Sequence, residues 1–310
     1  MPLAPEIQAA LEAAAALQLP AYWDVPVRDS RAIKGPPPCV PEPIGHSVVD
    51  KYIPGPTSDL HVRIFRPAAA VALPALVFYH GGGFVFNNID MYTAALHRLA
   101  NKSGAVIIAV NYQKAPEHPF PAPFDDCYAT LQWVVANATS LQIDARKIGV
   151  GGDSAGGNLA SAVALKARDE GPSVIPPLRY QLLVYPCNDR DFTTESYTAF
   201  AEGFGLSTRS MEWFWEMYLG PVGGEHDDNP CVAALRPLWT QLAPCCPYCP
   251  CRSCVLRCCA WHSRRIDLQL RRYSDLTWLL RLQVCLPHPC FKFRATPAGD
   301  IRGGGVRPSA

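Results

Sequence analysis

One pentapeptide, Gly152-Asp153-Ser154-Ala155-Gly156, sets a serine among small residues. An apolar run, IGVGG, precedes it, and a helical run, SAGGNLASAVALKARDE, contains and follows the serine. A serine on such a strand-to-helix bend holds its hydroxyl clear of the sheet, where it can attack an acyl carbon. Gly152, Gly156 and Gly157 allow strained backbone angles and close approach of a substrate. Ala155 opens the helix, and its N–H lies where the helix end favours developing negative charge. The plainer alternative is a glycine-rich link between strand and helix. The flanking elements favour Ser154 as a catalytic nucleophile.

A second segment supplies the complementary chemistry. His80-Gly81-Gly82-Gly83-Phe84 follows the apolar run ALVFY directly. Consecutive glycines let main-chain N–H groups turn inward, and a tetrahedral oxyanion needs such donors within about 3 Å. Gly82, Gly83 and Ala155 are therefore the candidate oxyanion hole. A phosphate-binding loop fits poorly, because no lysine follows at the required spacing and no G-x-G-x-x-G is completed. His80 and Gly81 read as loop-supporting residues. A general-base role for His80 is the competing reading.

These segments need a scaffold. HVRIFRP (61–67) alternates as a half-buried strand does, whereas ALVFYH (75–80) is continuously apolar, as in a strand covered on both faces. Further strands are expected at 105–110, 147–151 and 180–185, and helices at 5–19, 91–102, 124–136 and 155–168. Strands alternating with helices imply a mostly parallel central sheet with helices on both faces, an α/β class.

Together the motifs HGGGF (80–84), NYQKAPEHPFPAPFDD (111–126) and GGDSAGGNLA (151–160) resemble the hormone-sensitive lipase family of α/β-hydrolases, over roughly residues 1–240. The resemblance implies an α/β-hydrolase fold with an eight-stranded sheet. It implies an N-terminal helical cap over 1–50, a core over 51–244, and a further cap segment near 188–220. It also implies hydrolysis of short- to medium-chain acyl esters without a cofactor. In 111–126 the prolines fix a turn that Glu117 braces, and neither Glu117 nor Asp125 is expected to be catalytic. The aromatic and methionine run from Phe200 to Met217 is expected mostly to form cap core, with Phe84 and Phe86 better placed to line a pocket.

The chain has 310 residues, is 49% hydrophobic and carries a net charge of +1, so the whole-chain balance suggests neither nucleic acid nor an anionic membrane as partner. No apolar run is long enough to span a membrane, and the first residues contain Glu6 and Glu12 with no basic leader. The expectations are a cytoplasmic protein, a small-molecule ester as partner, and homodimerisation left open. The even charge hides two unlike halves. Residues 1–244 carry 17 Lys and Arg against 24 Asp and Glu, while 245–310 carry 11 against 3 and hold nine of the 13 cysteines.

In α/β-hydrolases an acid and then a histidine follow the serine along the chain. The family's D-P-L-x-D and H-G-F segments are missing here. No Asp or Glu occurs from 229 to 266, and the histidines after Ser154 are His226, His262 and His288. The C-x2-C pairs Cys246/Cys249 and Cys251/Cys254 lie too close together to wrap one zinc ion comfortably, so no metal site is assigned. A displaced reading frame fits better. With ACA for Thr277 and CTT for the leucines, the bases around Trp278 encode His-Gly-Phe-Phe in a shifted frame. Displacement is expected from about Pro244 to Arg265 and again near Thr277. Two function classes stay open: a serine carboxylesterase weakened by loss of acid and base, and a non-catalytic binding protein built on the same pocket.

Overall fold

The computed structural model describes residues 4–32 and 46–221, positions 224, 226, 229 and 232, and the backbone of 282–285. Seven strands occur among them: β1 (His46–Ile53), β2 (Leu60–Pro67), β3 (Leu73–Tyr79), β4 (Val106–Val110), β5 (Ile143–Asp153), β6 (Gln181–Val184) and β7 (Leu282–Cys285). They form one sheet in the order β1-β2-β4-β3-β5-β6-β7. The central pairs β4·β3, β3·β5 and β5·β6 are parallel, and the flanking pairs β1·β2, β2·β4 and β6·β7 are antiparallel. The parallel centre is the expected one. The described residues hold seven strands where the family resemblance implies eight.

Helices α1 (Pro5–Ala16) and α2 (Val27–Ala32) precede the sheet. Between strands lie α3 (Ile89–Ser103), α4 (Ala122–Ala136) and α5 (Ala155–Glu170), and after β6 come α6 (Glu195–Ala199) and α7 (Thr208–Leu219). Side chains alternate across the strands, so each sheet face builds its own core. Phe65, Leu76, Phe78 and Ile107 pack on Leu96 and Ala100 of α3. Val62, Val77, Ile108 and Val150 join the larger cluster with Leu131 and Val134 of α4 and Leu159 and Val163 of α5. Near-continuous burial along β3 and β4 explains why both read as unbroken apolar runs.

Local chemistry sets the ends of α3. The Asn88 side chain accepts from the amides of Asp90 and Met91, and Gly104 closes the helix in the left-handed region at φ 64°. The expected first helix runs shorter, stopping at Ala16, because Leu17–Pro20 carries it into an exposed turn with Gln18 at φ 46°. Strand β5 starts four residues earlier than its apolar run predicts, and its register against β3 shifts between Leu73 and Ala75. The Pro36–Pro43 connector and nearly all of 222–310 fall outside the described residues, so the cysteine pairs, His262, His288 and Thr277–Leu280 do too.

For the site, one consequence dominates. Strands β3 and β5 are parallel neighbours with Tyr79 opposite Gly152. The segment after β3 and the segment after β5 therefore emerge side by side at one end of the sheet, where open α/β sheets bind ligands.

Candidate active site

Ser154 stands at the junction of β5 and α5 with φ 52° and ψ −119°. A non-glycine residue at such angles stores about 1–3 kcal/mol of backbone strain. Neighbouring contacts hold it there. Its N–H donates to Val184 O at 2.9 Å, and its carbonyl accepts from Asn158 N at 3.1 Å and Cys187 N at 3.3 Å. The flanking glycines are required by space. A Cβ on Gly152 would lie 2.3 Å from Tyr79 O, and one on Gly156 would lie 2.0 Å from the same oxygen.

After β3 the chain passes through Gly82 (φ 124°), Gly83 (φ 61°) and Phe84 (φ 63°). Gly82 O accepts from Phe86 N at 2.8 Å and Val85 N at 3.1 Å, which closes the loop on itself. Among the described residues, the amides of Gly82, Gly83 and Ala155 donate no hydrogen bond. Gly82, Gly83 and Ser154 line one cavity of about 250 Å³. Phe84, Phe86, Met211, Phe214, Trp215 and Leu206 give it apolar walls, and Tyr22, Asn87 and Cys187 add to them; among the described residues no charged side chain lines it.

His80 is not among those lining residues. Its ring is buried, stacks on Tyr112 at 4.3 Å and puts Nδ1 2.9 Å from Gly81 O, so the bond requires an Nδ1–H tautomer. Burial, aided by nearby Lys114, pushes its pKa down to about 3. A neutral, enclosed imidazole tied to the loop's own carbonyl suits a support better than a base. Gly81 is a junction: its N–H donates to Asp153 Oδ1 at 2.9 Å and approaches Tyr92 Oη at 3.1 Å, while Tyr92 donates to Asp153 Oδ2 at 2.8 Å. Asp153 thus joins the two motif loops. Burial raises its pKa against the lowering effect of those bonds.

Sequence reasoning read Asp153 only as the variable position of the pentapeptide. It missed Tyr92, Tyr22, Asn87 and Cys187 altogether. The signal for Asp153 was the presence of two loop motifs on what became adjacent strands. Tyr22 and Cys187 carry no local signal. Phe84 and Phe86 do line the cavity, as expected. The run at 200–217 divides: Trp213, Phe214 and Trp215 are buried, two of them on the cavity, whereas Phe200 and Phe204 are exposed and pack on each other. Glu117 meets Arg31 rather than the cavity, and Asp126 holds the 111–126 turn by accepting from Gln113 N at 2.8 Å.

No described side chain hydrogen-bonds the Ser154 hydroxyl, and the segments where acid and base are expected lie outside the described residues. Among the described residues no cluster could hold a metal ion, and no helix is long and apolar enough to cross a membrane.

A family model of the alpha/beta hydrolase fold matches residues 76–252. The carboxylic ester hydrolase LipN of Mycobacterium tuberculosis is 36% identical over 200 residues, which are 63% of this chain and 51% of that protein. Carboxylesterase NlhH of the same species is 39% identical over 163 residues, 52% of this chain and 50% of that one. A solved hyperthermophilic esterase from the archaeon Pyrobaculum calidifontis superposes with a TM-score of 0.67 at 36% identity, over 76% of each chain. The chain spans about half the length of the curated relatives it matches.

Proposed function

The chain belongs to the α/β-hydrolase family, and from that premise we propose that it is a carboxylic ester hydrolase acting through Ser154. One observation carries the reading: Ser154 and the glycine loop share a cavity, and the amides of Gly82, Gly83 and Ala155 are committed to no other acceptor among the described residues. In the first step Ser154 Oγ attacks the acyl carbon and its proton passes to a solvent water in place of the missing triad histidine, to be returned to the departing alkoxide on collapse. The carbonyl electron pair moves onto oxygen, where the three amides receive it. Collapse expels the alcohol and leaves an acyl group on Ser154, which water then releases as the acid.

The cavity sets the substrate class. About 250 Å³ with apolar walls and, among the described residues, no charged lining side chain suits small, uncharged acyl esters of short to medium chain. Turnover is reduced, because the sequence lacks D-P-L-x-D and H-G-F segments. Loss of the triad histidine costs roughly 10⁶ in kcat, and an oxyanion hole with binding alone retains about 10³–10⁴ over water.

A fluorophosphonate probe tests the proposal. Expected is slow covalent modification that disappears in Ser154→Ala, together with measurable hydrolysis of p-nitrophenyl acetate. A wild-type protein that is neither modified nor active refutes it. The second reading, a binding protein, draws on the Ser154 hydroxyl, which no described side chain bonds, and it gains if saturable ester binding persists without modification.

A further inference from the structure

We propose that Arg31 is a positioning residue: it fixes the Val85 end of the Gly82–Val85 loop, whose other end Asp153 holds through Gly81, and so sets the oxyanion amides. The inference rests on the esterase reading above. Arg31 lies on α2, far from both motifs in sequence, yet its guanidinium reaches acceptors on three residues. Nε donates to Val85 O at 2.9 Å, and Nη2 donates to Ala115 O at 2.8 Å. Nη1 and Nη2 meet the two Glu117 carboxylate oxygens at 2.8 Å each. Ala115 N in turn donates to Phe84 O at 3.1 Å. Phe84 and Val85 are thereby stitched to the 115–117 turn, with Arg31 as the connector.

The loop needs such a hold. Gly83 and Phe84 both have left-handed backbone angles, and for the phenylalanine that costs roughly 1–2 kcal/mol. Gly81 N is anchored on Asp153 and Val85 O on Arg31, and the two candidate donors lie between these anchors. The same helix follows Tyr22, whose ring packs on Phe86 at 5.0 Å and Phe214 at 5.6 Å and lines the cavity. An ordinary exposed ion pair would contribute little. Here two acceptors are main-chain carbonyls of or beside the loop, and the carboxylate contact is bidentate. A lysine, a point charge, cannot serve all three in one plane.

Arg31→Lys, Arg31→Gly and Glu117→Gln test the proposal with two readouts. In the kinetic arm, p-nitrophenyl acetate hydrolysis and fluorophosphonate modification are followed. Expected for Arg31→Lys is a fall of about 10–100-fold in kcat with KM changed less than about 3-fold, because a donor used only in the transition state is displaced. Glu117→Gln, which leaves the bonds to Val85 and Ala115, changes kcat less than about 3-fold. Added guanidinium restores Arg31→Gly several-fold. A raised KM with unchanged kcat, or failure of guanidinium to restore activity in a folded variant, overturns the positioning role. The second arm is amide hydrogen exchange, which needs no activity. Faster exchange confined to 82–86 and the α2 region in Arg31→Lys supports the proposal, and unchanged exchange there overturns it. Should the wild type be inert in both kinetic assays, the esterase reading fails while exchange still decides whether Arg31 holds the loop.

Discussion

Replacing Asp153 by alanine tests how the two motif loops are joined. The carboxylate accepts Gly81 N–H at 2.9 Å and the Tyr92 hydroxyl at 2.8 Å. Hydrogen bonds to a charged group contribute about 1.5–3 kcal/mol each, so two would suggest up to about 6 kcal/mol. The carboxyl pKa is nevertheless raised, with burial as the largest cause. Desolvation therefore outweighs the two bonds, and the sum must be cut heavily. Gly81 N also keeps Tyr92 Oη at 3.1 Å after the substitution. The expected net loss is about 2 kcal/mol, read as a lower urea midpoint at constant m. If the same amount is lost from loop alignment, the rate of Ser154 modification falls about 30-fold. Tyr92→Phe removes the bond to Asp153 and the longer one from Gly81 N, and costs about 1–2 kcal/mol. Because the three groups share one network, the double variant should fall short of the sum by at least about 0.5 kcal/mol. A full sum, or an Asp153→Ala protein with unchanged midpoint and rate, refutes the coupling.

Three shorter predictions follow from the same geometry. Gly156→Ala puts a Cβ 2.0 Å from Tyr79 O and should cost about 3 kcal/mol in denaturant titration, whereas Gly104→Ala, with open space but φ 64°, should cost about 1–2 kcal/mol. Phe214→Ala opens the cavity over Gly83, whose Cα faces that ring, and should raise the hydrolysis of longer acyl esters relative to acetate while costing about 3–5 kcal/mol of stability; an unchanged chain-length ratio counts against Phe214 as a wall. For His80, whose pKa is pushed down to about 3, the unfolded chain binds a proton near pH 6.5 that the native site refuses. Stability must therefore decline as pH falls from about 6.5 towards 3, by about 1.4 kcal/mol per unit well inside that window. Thermal melts of His80→Asn should show a flatter pH dependence over the same interval.

The legible parts of the molecule were those where one local rule decides. Strands β3 and β4 are buried on both faces, so their apolar runs needed no partner to be recognised. The bend at Ser154 was legible because it demands glycines, and any side chain at Gly152 or Gly156 would clash with neighbouring backbone. Strand β1 was not legible: Val48, Val49 and Tyr52 are exposed, and it exists through its register with β2 rather than through burial. The loop anchors were hidden for a related reason. Arg31 and Tyr92 act through chain separations of 54 and 61 residues, and neither sits in a motif. A polar residue that bonds a distant backbone group leaves no periodic trace.

The proposed nucleophile and oxyanion donors come from neighbouring strands, so a few residues suffice to bring them together. The acid and base of such a site must instead come from chain added after β6, and the direction of that chain matters. Strand β7 runs antiparallel to β6, with Leu282 opposite Val184 and Cys285 opposite Gln181. Val184 O holds Ser154 N at 2.9 Å, so Leu282 enters at the active-site end and Cys285 departs from the other. At about 3.3 Å per residue, a base drawn from beyond Cys285 would have to retrace the strand before reaching the serine. A parallel strand in that place would have delivered its next loop to the site directly. The missing H-G-F segment and the antiparallel pairing thus point the same way: β3 and β5 bring the proposed nucleophile and its donors together, while the family's route for delivering a base is found neither in the sequence after β6 nor in the direction of β7.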